Sequence, residues 1–458
     1  MGSSIEGLPV ELLVNILLES QIPRISKDHG PFATVIEEHQ RPVTNWVPLM
    51  LVCRCFRDVI LAAPTLWSRI HVTNDLAALQ CNLSRFGSSP LDLLFDAAWE
   101  SVLPLIQPHA SRIRAIITTP RFHIYALRCL LPLLSLPLPA LEHVHIVPDL
   151  NLSPDSEEWQ KLTDAGSVLN ETSHPRVKIL TSYRLLLPPQ ESRFWCQKLV
   201  HLDIRCQGGG RITTEHRDDL LAVLRTTRRL ESLAITFPDA PPPDAGVQIL
   251  HGAQAREPTP LLRLRRLTLS GPTWLSGPVL HGIDTPSLER VYLRITVFRQ
   301  QNGEDAIAGI FPRRLLRVLV QHTRLHIHAS PGRHGFRMGD CYCEAGRVTS
   351  DRFSLHVRVE GAWWETTAHL HTALHLLCRV FEDARLETLE VNYFLGQPPE
   401  VDGVWRNVLE TFSGLRKLTL FGNDRKSGAA MVDAIETLRR EGLNPGMELV
   451  AKNTDWGT

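Results

Sequence analysis

The sequence predicts a mixed α/β chain: a small all-α N-terminal unit over residues 1–72, then an irregular solenoid over residues 73–458. In that solenoid parallel strands line the concave side and helices the convex side. Three observations lead there. Two short apolar segments near the start have helical spacing but too few residues to bury one another fully. One phrase, L-x-x-L/V-x-L/I, returns along the rest of the chain. Helical patterns fill several of the gaps between its copies. Hydrophobic residues are 43% and charged residues 21%, an ordinary globular composition that argues against disorder. Lysine plus arginine and aspartate plus glutamate are 49 each, so no net field draws the chain to nucleic acid or an anionic membrane.

The first element is LPVELLVNIL, residues 8–17. Pro9 suits the first turn of a helix, where a missing N–H is no loss. Leu12, Leu13, Ile16 and Leu17 then recur at helical spacing as one apolar stripe. The next is VPLMLVCRCFRDVILAAPTLWSRI, residues 47–70. Leu49, Val52, Cys53, Phe56 and Ile60 keep the same rhythm, while Arg54, Arg57 and Asp58 fall off it. PTLW (64–67) reads as a turn followed by two large apolar residues. Between the two segments, residues 21–46 read as a loop, marked by Gly30, Pro31 and Pro42. Periodicity leaves two readings open. The helices cap the next domain, or they offer a face to another protein.

The blocks LPVELLVNIL, LMLVCRCFRDVI and APTLWSRI, in that order, resemble the F-box. That family begins with Leu-Pro and a Glu-Leu-Leu-type helix, continues with a Val-Cys-Arg-x-Phe/Trp helix and closes on a Leu-Trp pair. The resemblance covers residues 1–72, with 21–46 as an insertion longer than the usual connection. It implies docking to a Skp-type adaptor and, through it, to a cullin–RING ubiquitin ligase. Carried over position by position, the docking set is Leu8, Pro9, Leu12, Leu13, Ile16, Leu49, Val52, Cys53, Phe56, Leu66 and Trp67. Some of these hold the F-box together and do not touch the adaptor; the sequence does not divide them.

The repeated phrase comes next: LEHVHIVPD (141–149), LVHLDIRCQ (199–207), LESLAITFP (230–238), LRRLTLSGP (264–272), LERVYLRIT (288–296), LETLEVNYF (386–394) and LRKLTLFGN (415–423). Looser copies are RIHV (69–72), PLDLLFD (90–96), IRAIITT (113–119), VKILTSY (177–183), TRLHIHA (323–329) and SLHVRVE (354–360). Alternation of period 2 inside each phrase marks a strand with one buried face. DDLLAVLRTTRR (218–229), VWRNVLETF (404–412) and GAAMVDAIETLRR (428–440) read as helices. Leu386 to Leu415 is 29 residues, Leu199 to Leu230 is 31 and Leu264 to Leu288 is 24. Those spacings cluster near the range of about 20–29 for leucine-rich repeats, and the region resembles their divergent form, often attached to F-boxes in fungal proteins. The asparagine that often ends the repeat phrase is nearly absent; Asn423 occupies that position and Asp149 partly substitutes. An ordinary α/β sheet fold is the runner-up. Residues 238–260, rich in proline, and 330–350, rich in glycine, read as long exposed loops.

Catalytic and metal motifs do not assemble. Cys341 and Cys343 sit near His322, His326, His328 and His334, but C-x-C is not zinc-knuckle spacing. HTALH (371–375) has Thr372 where a zinc protease needs its glutamate. QGGGR (207–211) lacks the Lys-Ser/Thr of a phosphate loop, and no G-x-S-x-G elbow occurs. Among the arginines of 313–328, Leu315, Leu316, Val318 and Val320 read as core. No metal, cofactor, nucleic acid or catalysis is therefore expected.

Nine cysteines without regular spacing read as reduced intracellular thiols. The start has no basic stretch, and Glu6 stands where myristoylation needs Ser or Thr. The run 127–141 is too short and proline-broken to span a bilayer. The expectation is a cytoplasmic or nuclear adaptor that brings a protein target to the ligase. Target contacts are expected from outward strand residues: His201, Asp203, Arg205, Arg266, Arg290, Tyr292, Arg294, Glu390, Asn392, Lys417 and Phe421. Tyrosine and arginine are frequent anchors, so Tyr292 and its neighbours lead. The alternative is a non-catalytic scaffold outside any ligase, with the N-terminal helices as its cap.

Overall fold

The computed structural model describes residues 8–20, 46–95, 100–118, 127–146, 169–183, 196–206, 214–238, 257–298, 309–312, 314–315, 324–330, 335–339, 342–344, 347–349, 353–360, 366–393, 401–422 and 425–453. It is a mixed α/β protein built on parallel strands. The chain divides into two compact units, Met1–Gly210 and Arg211–Thr458.

The first unit opens with α1 (Val10–Ser20), α2 (Val47–Met50), α3 (Arg54–Ala62) and a 3-10 turn, Pro64–Trp67. Then follow β1 (Arg69–Val72), α4 (Leu76–Arg85), β2 (Leu91–Phe95), α5 (Leu103–Ile106), β3 (Ile113–Thr118), α6 (Leu127–Leu134), β4 (His143–Ile146), β5 (Ile179–Tyr183) and β6 (His201–Arg205). β1 to β6 pair parallel, each with its neighbour in chain order. Asp75 caps α4, its carboxylate accepting from the Ala78 N–H at 2.9 Å.

The second unit holds α7 (Thr214–Thr226), β7 (Ser232–Thr236), β8 (Thr259–Pro260), β9 (Arg266–Pro272), α8 (Thr273–Gly282), β10 (Ile283–Asp284) and β11 (Arg290–Phe298). β12 (Arg324–Ser330), β13 (Gly335–Gly339), β14 (Tyr342–Glu344), β15 (Arg347–Thr349), β16 (Phe353–Glu360) and α9 (Thr366–Val380) follow. The unit ends with β17 (Thr388–Tyr393), α10 (Val401–Thr411), β18 (Lys417–Gly422), α11 (Arg425–Arg440) and β19 (Glu448–Asn453). Its strand order is β7-β9-β11-β16-β13-β12-β17-β18-β19.

Each quoted phrase contains a strand, and its leucines explain why. The leading leucine closes a short turn before the strand: the Leu141 N–H donates to Leu138 O, Leu199 to Cys196 O, Leu230 to Thr227 O, Leu264 to Leu261 O and Leu415 to Phe412 O. That turn drops the leucine into the core, and the strand's alternation sends the next two apolar residues after it. Leu199, Leu202 and Ile204 are buried together, as are Leu264, Leu267 and Leu269, and Leu415, Leu418 and Leu420. Amide N–H groups at the strand starts donate to one carbonyl in the preceding copy: Lys178 and Ile179 to Glu142 O, Arg265 and Arg266 to Glu231 O, Arg416 and Lys417 to Glu387 O. The phrase is thus a packing unit that repeats.

Three expectations are corrected. First, strand order departs from simple sequential stacking. β12 and β16 are separated by β13, which runs antiparallel to both. β11 pairs with β16, while β12, earlier in the chain, pairs with β17. Second, residues 330–350 are more than a loop. They supply β13, which pairs antiparallel with β12, and the antiparallel pair β14–β15. Of the other long interruption, 239–256 lie outside the described residues, and β8 at its end pairs with β10. Third, strands are not buried on one face alone. Every residue of β2 and β4 is buried, as are the central residues of β6 and β7. Leu94, Ala115 and Ile117 form an apolar cluster on the face opposite Leu93 and Ile116. Strand neighbours about 4.8 Å away also shade whatever stands between them.

Candidate functional site

The N-terminal helices build a small core and leave other large apolar side chains exposed. In α1, Pro9 O accepts from the Leu12 and Leu13 N–H groups and starts the helix. Leu13 and Leu17, one turn apart, are buried against α3 and the Pro64–Trp67 turn. The sulfur of Cys53 caps α3, accepting from the Phe56 N–H at 3.4 Å. Val59 and Ile60 are buried from α3, Leu66 and Trp67 from the turn, and Trp46 from just before α2. Both indole N–H groups find carbonyls: Trp46 Nε1 donates to Leu66 O at 3.0 Å and Trp67 Nε1 to Ile60 O at 2.7 Å. The Arg85 guanidinium stands 4.6 Å over the Trp67 ring.

Beside that core stand Leu8, Val10, Leu12, Ile16, Leu51, Val52 and Leu61, all exposed. Leu12 and Ile16 are 50% and 53% exposed, and Leu51 and Val52 are 73% and 65%. Beyond residue 61, the described residues offer only Leu76 and Leu262 as further exposed large apolar side chains. Leu12 and Ile16 are one turn apart on α1, so they lie on one stripe, a helical step from the buried Leu13 and Leu17, and Leu8 stands just before the helix. Single exposed leucines are normal; a concentration of them in one short helical region is not.

The expected docking set is therefore divided. Leu13, Leu66 and Trp67 are buried, so they are core residues and do not belong to the exposed face. Leu8, Pro9, Leu12, Ile16 and Val52 are exposed; Leu49, Cys53 and Phe56 are half-buried. Val10, Leu51 and Leu61, outside that set, are exposed as well. Leu61 lies on the charged side of α3 with Arg54 and Arg57, and an apolar residue among charges was the signal that could have found it.

The expected target residues fall in separate groups. On β6, His201 and Arg205 are half-buried, and Asp203, expected outward, is buried. Its carboxylate accepts from Arg205 Nη2 at 3.1 Å and Nε at 3.2 Å. Burial pushes the Asp203 carboxyl above its ordinary range, against the pull of Arg205. On β9 and β11, Arg266 is the register partner of Arg290, Thr268 of Tyr292 and Ser270 of Arg294. Arg266 and Arg290 are exposed; Tyr292 and Arg294 are half-buried. On β17 and β18, Thr388 pairs with Lys417, Glu390 with Thr419 and Asn392 with Phe421. Lys417 Nζ lies 3.1 Å from Glu448 Oε2, so that cation is already compensated. β16, β13 and β12 separate the β9–β11 group from the β17–β18 group.

Of the rejected metal candidates, Cys341, His322 and His334 lie outside the described residues. Among the described residues, no group of three or more His, Cys, Asp or Glu gathers in a way that could hold a metal ion. No helix among them is long and apolar enough to cross a membrane.

No family model and no curated protein matches the chain.

Proposed function

We propose that the chain is the substrate-recognition subunit of a Skp–cullin–F-box ubiquitin ligase, its N-terminal helices docking the Skp-type adaptor and its repeat strands holding a protein target. The observation that supports this reading most is the exposed apolar face of α1 and the α2–α3 turn, lying in the blocks that resemble the F-box. A solenoid cap would have that stripe covered; Leu12 and Ile16 are half exposed. Each large apolar side chain withdrawn from water contributes about 1.5–3 kcal/mol. Association costs roughly 4–15 kcal/mol, so one or two such residues would not suffice and a face of five or more does. In this role the chain does no chemistry and works by raising the local concentration of the target. Cytoplasm or nucleus is the matching location.

Co-expression with a Skp-type adaptor and size-exclusion chromatography test the proposal. The full chain is expected to elute with the adaptor, and Leu12→Lys/Ile16→Lys to elute without it. Both residues are exposed, so the variant's circular dichroism and melting temperature stay close to wild type. Trp67→Ala would be a poor probe, because removing a buried tryptophan costs about 3–5 kcal/mol and damages the helices themselves. A folded wild-type chain that ignores the adaptor sinks the proposal.

A further inference from the structure

Several charges that project from the strands are compensated within the chain. Arg114 grips Asp92 with two hydrogen bonds, 2.9 and 2.7 Å; Arg205 holds Asp203; Lys417 holds Glu448. The face formed by β9 and β11 differs. Arg266 and Arg290 are adjacent in register and exposed, and neither side chain has a hydrogen bond or ion pair among the described residues. Arg294, two residues past Tyr292 on the same face, is half-buried, and its Nε is buried without a hydrogen-bond partner among the described residues. Thr268 and Tyr292 lie between the two ends of this strip. No acid stands on these strands. Glu289 immediately precedes β11, Glu231, whose carbonyl accepts from the Arg265 and Arg266 N–H groups, precedes β7, and Arg265 Nη1 lies 3.7 Å from Glu289 Oε1.

We propose that this arginine-lined face of β9 and β11 binds an extended acidic peptide segment of the target, with carboxylates at alternating positions. The inference rests on the reading that the repeat strands hold a protein, and it adds the chemistry of what they hold. Arg266 and Arg290 stand about 5 Å apart across the sheet, and Arg290 and Arg294 about 13 Å apart along the strand. An extended peptide places side chains i and i+4 on one face at the same span of about 13 Å. Guanidinium groups take carboxylates through paired, charge-assisted hydrogen bonds, and these are stronger than neutral ones. Tyr292 sets an aromatic ring and a hydroxyl beside them, the type of residue that anchors protein interfaces. A long polyanion such as nucleic acid fits worse. The chain has no net positive charge, and Glu231 and Glu289 flank the strip.

The test uses the full chain and a fluorescein-labelled peptide of alternating glutamate and serine, followed by fluorescence anisotropy. The glutamate peptide is expected to bind, and more weakly as salt is raised. Its glutamine counterpart is expected to bind about tenfold more weakly or worse, as is the glutamate peptide to Arg266→Ser/Arg290→Ser. Arg416→Ser, an exposed arginine elsewhere in the same unit, should leave binding unchanged. Equal binding of the glutamine peptide, undiminished binding by the double variant, or no binding to the wild type overturns the proposal. Displacement of the peptide by a lower concentration of single-stranded oligonucleotide overturns it in favour of nucleic acid. Adaptor co-elution of the same proteins separates the two readings. Peptide binding without adaptor binding removes the ligase and leaves this face; adaptor binding without peptide binding does the reverse.

Discussion

His174 is 2% exposed, and its Nδ1 accepts the Asn170 N–H at 3.3 Å. Burial lowers its pKa from the ordinary 6.5. A lowered folded value means that the contribution to stability is complete above the unfolded pKa and is lost as pH falls through the folded one. The urea midpoint is therefore expected to drop as pH is lowered below the ordinary histidine value of about 6.5. His174→Gln should make that drop smaller; an identical pH profile in the variant would contradict the assignment. Asp203 carries a lesson of the same scale. Alternation in LVHLDIRC points it away from Leu202, and it does face the other way, but facing away from the core is not the same as facing water. Neighbouring strands shade it, and Arg205 supplies the missing partner.

At the scale of the element, β9 shows how one residue limits a strand. Gly271 has a φ of +142°, and a Cβ there would lie 2.5 Å from Phe237 Cβ. The strand continues past Gly271 to Pro272 while Phe237 donates its N–H to Ser270 O at 2.7 Å. Gly271→Ala should cost about 1–3 kcal/mol from the backbone and a similar amount from overpacking. A melting temperature within a degree or so of wild type would show that Phe237 moves aside without penalty. Strand phrases and the helices at 218–229, 404–412 and 428–440 were legible because their periodicity records local geometry directly. β13 was not. It lies in a stretch rich in glycine and arginine, and only its partners β12 and β16 make it a strand. β19 was missed for another reason: buried Met447 takes the leading leucine's place and closes the same turn onto Asn444 O, so ELVAKN does not carry the phrase although it pairs with β18.

At the scale of the whole molecule, the described strands β1 to β6 pair each with its neighbour in chain order. Stability in such an array is close to a sum of local terms. Ile116 is fully buried in β3, and Ile116→Ala should cost about 2–5 kcal/mol. Hydrogen exchange should then quicken first in β2, β3 and β4, before β17 and β18 change. Uniform loss of protection along the whole chain would mean that the strands unfold as one cooperative block. The N-terminal helices obey the opposite logic. Their small core of Leu13, Leu17, Trp46, Val59, Ile60, Leu66 and Trp67 fixes α1 on α3, and whatever apolar surface it cannot hold is left outside.

The sequence by itself determined where most of the strands and the main helices lie, that the strands of the repeated phrase run parallel, and that apolar surface is concentrated near the start. Each of these follows from patterns read over a few residues. Only the tertiary structure decided which of those apolar residues are core and which are face. Leu12 and Leu13 belong to one stripe on paper and differ by a single step around the helix, and the position of α3 chooses between them. It alone decided that β13 separates β12 from β16, and that Asp203 is covered while Arg266 and Arg290 stand open. Burial depends on what arrives from distant parts of the chain, and no local pattern carries that information.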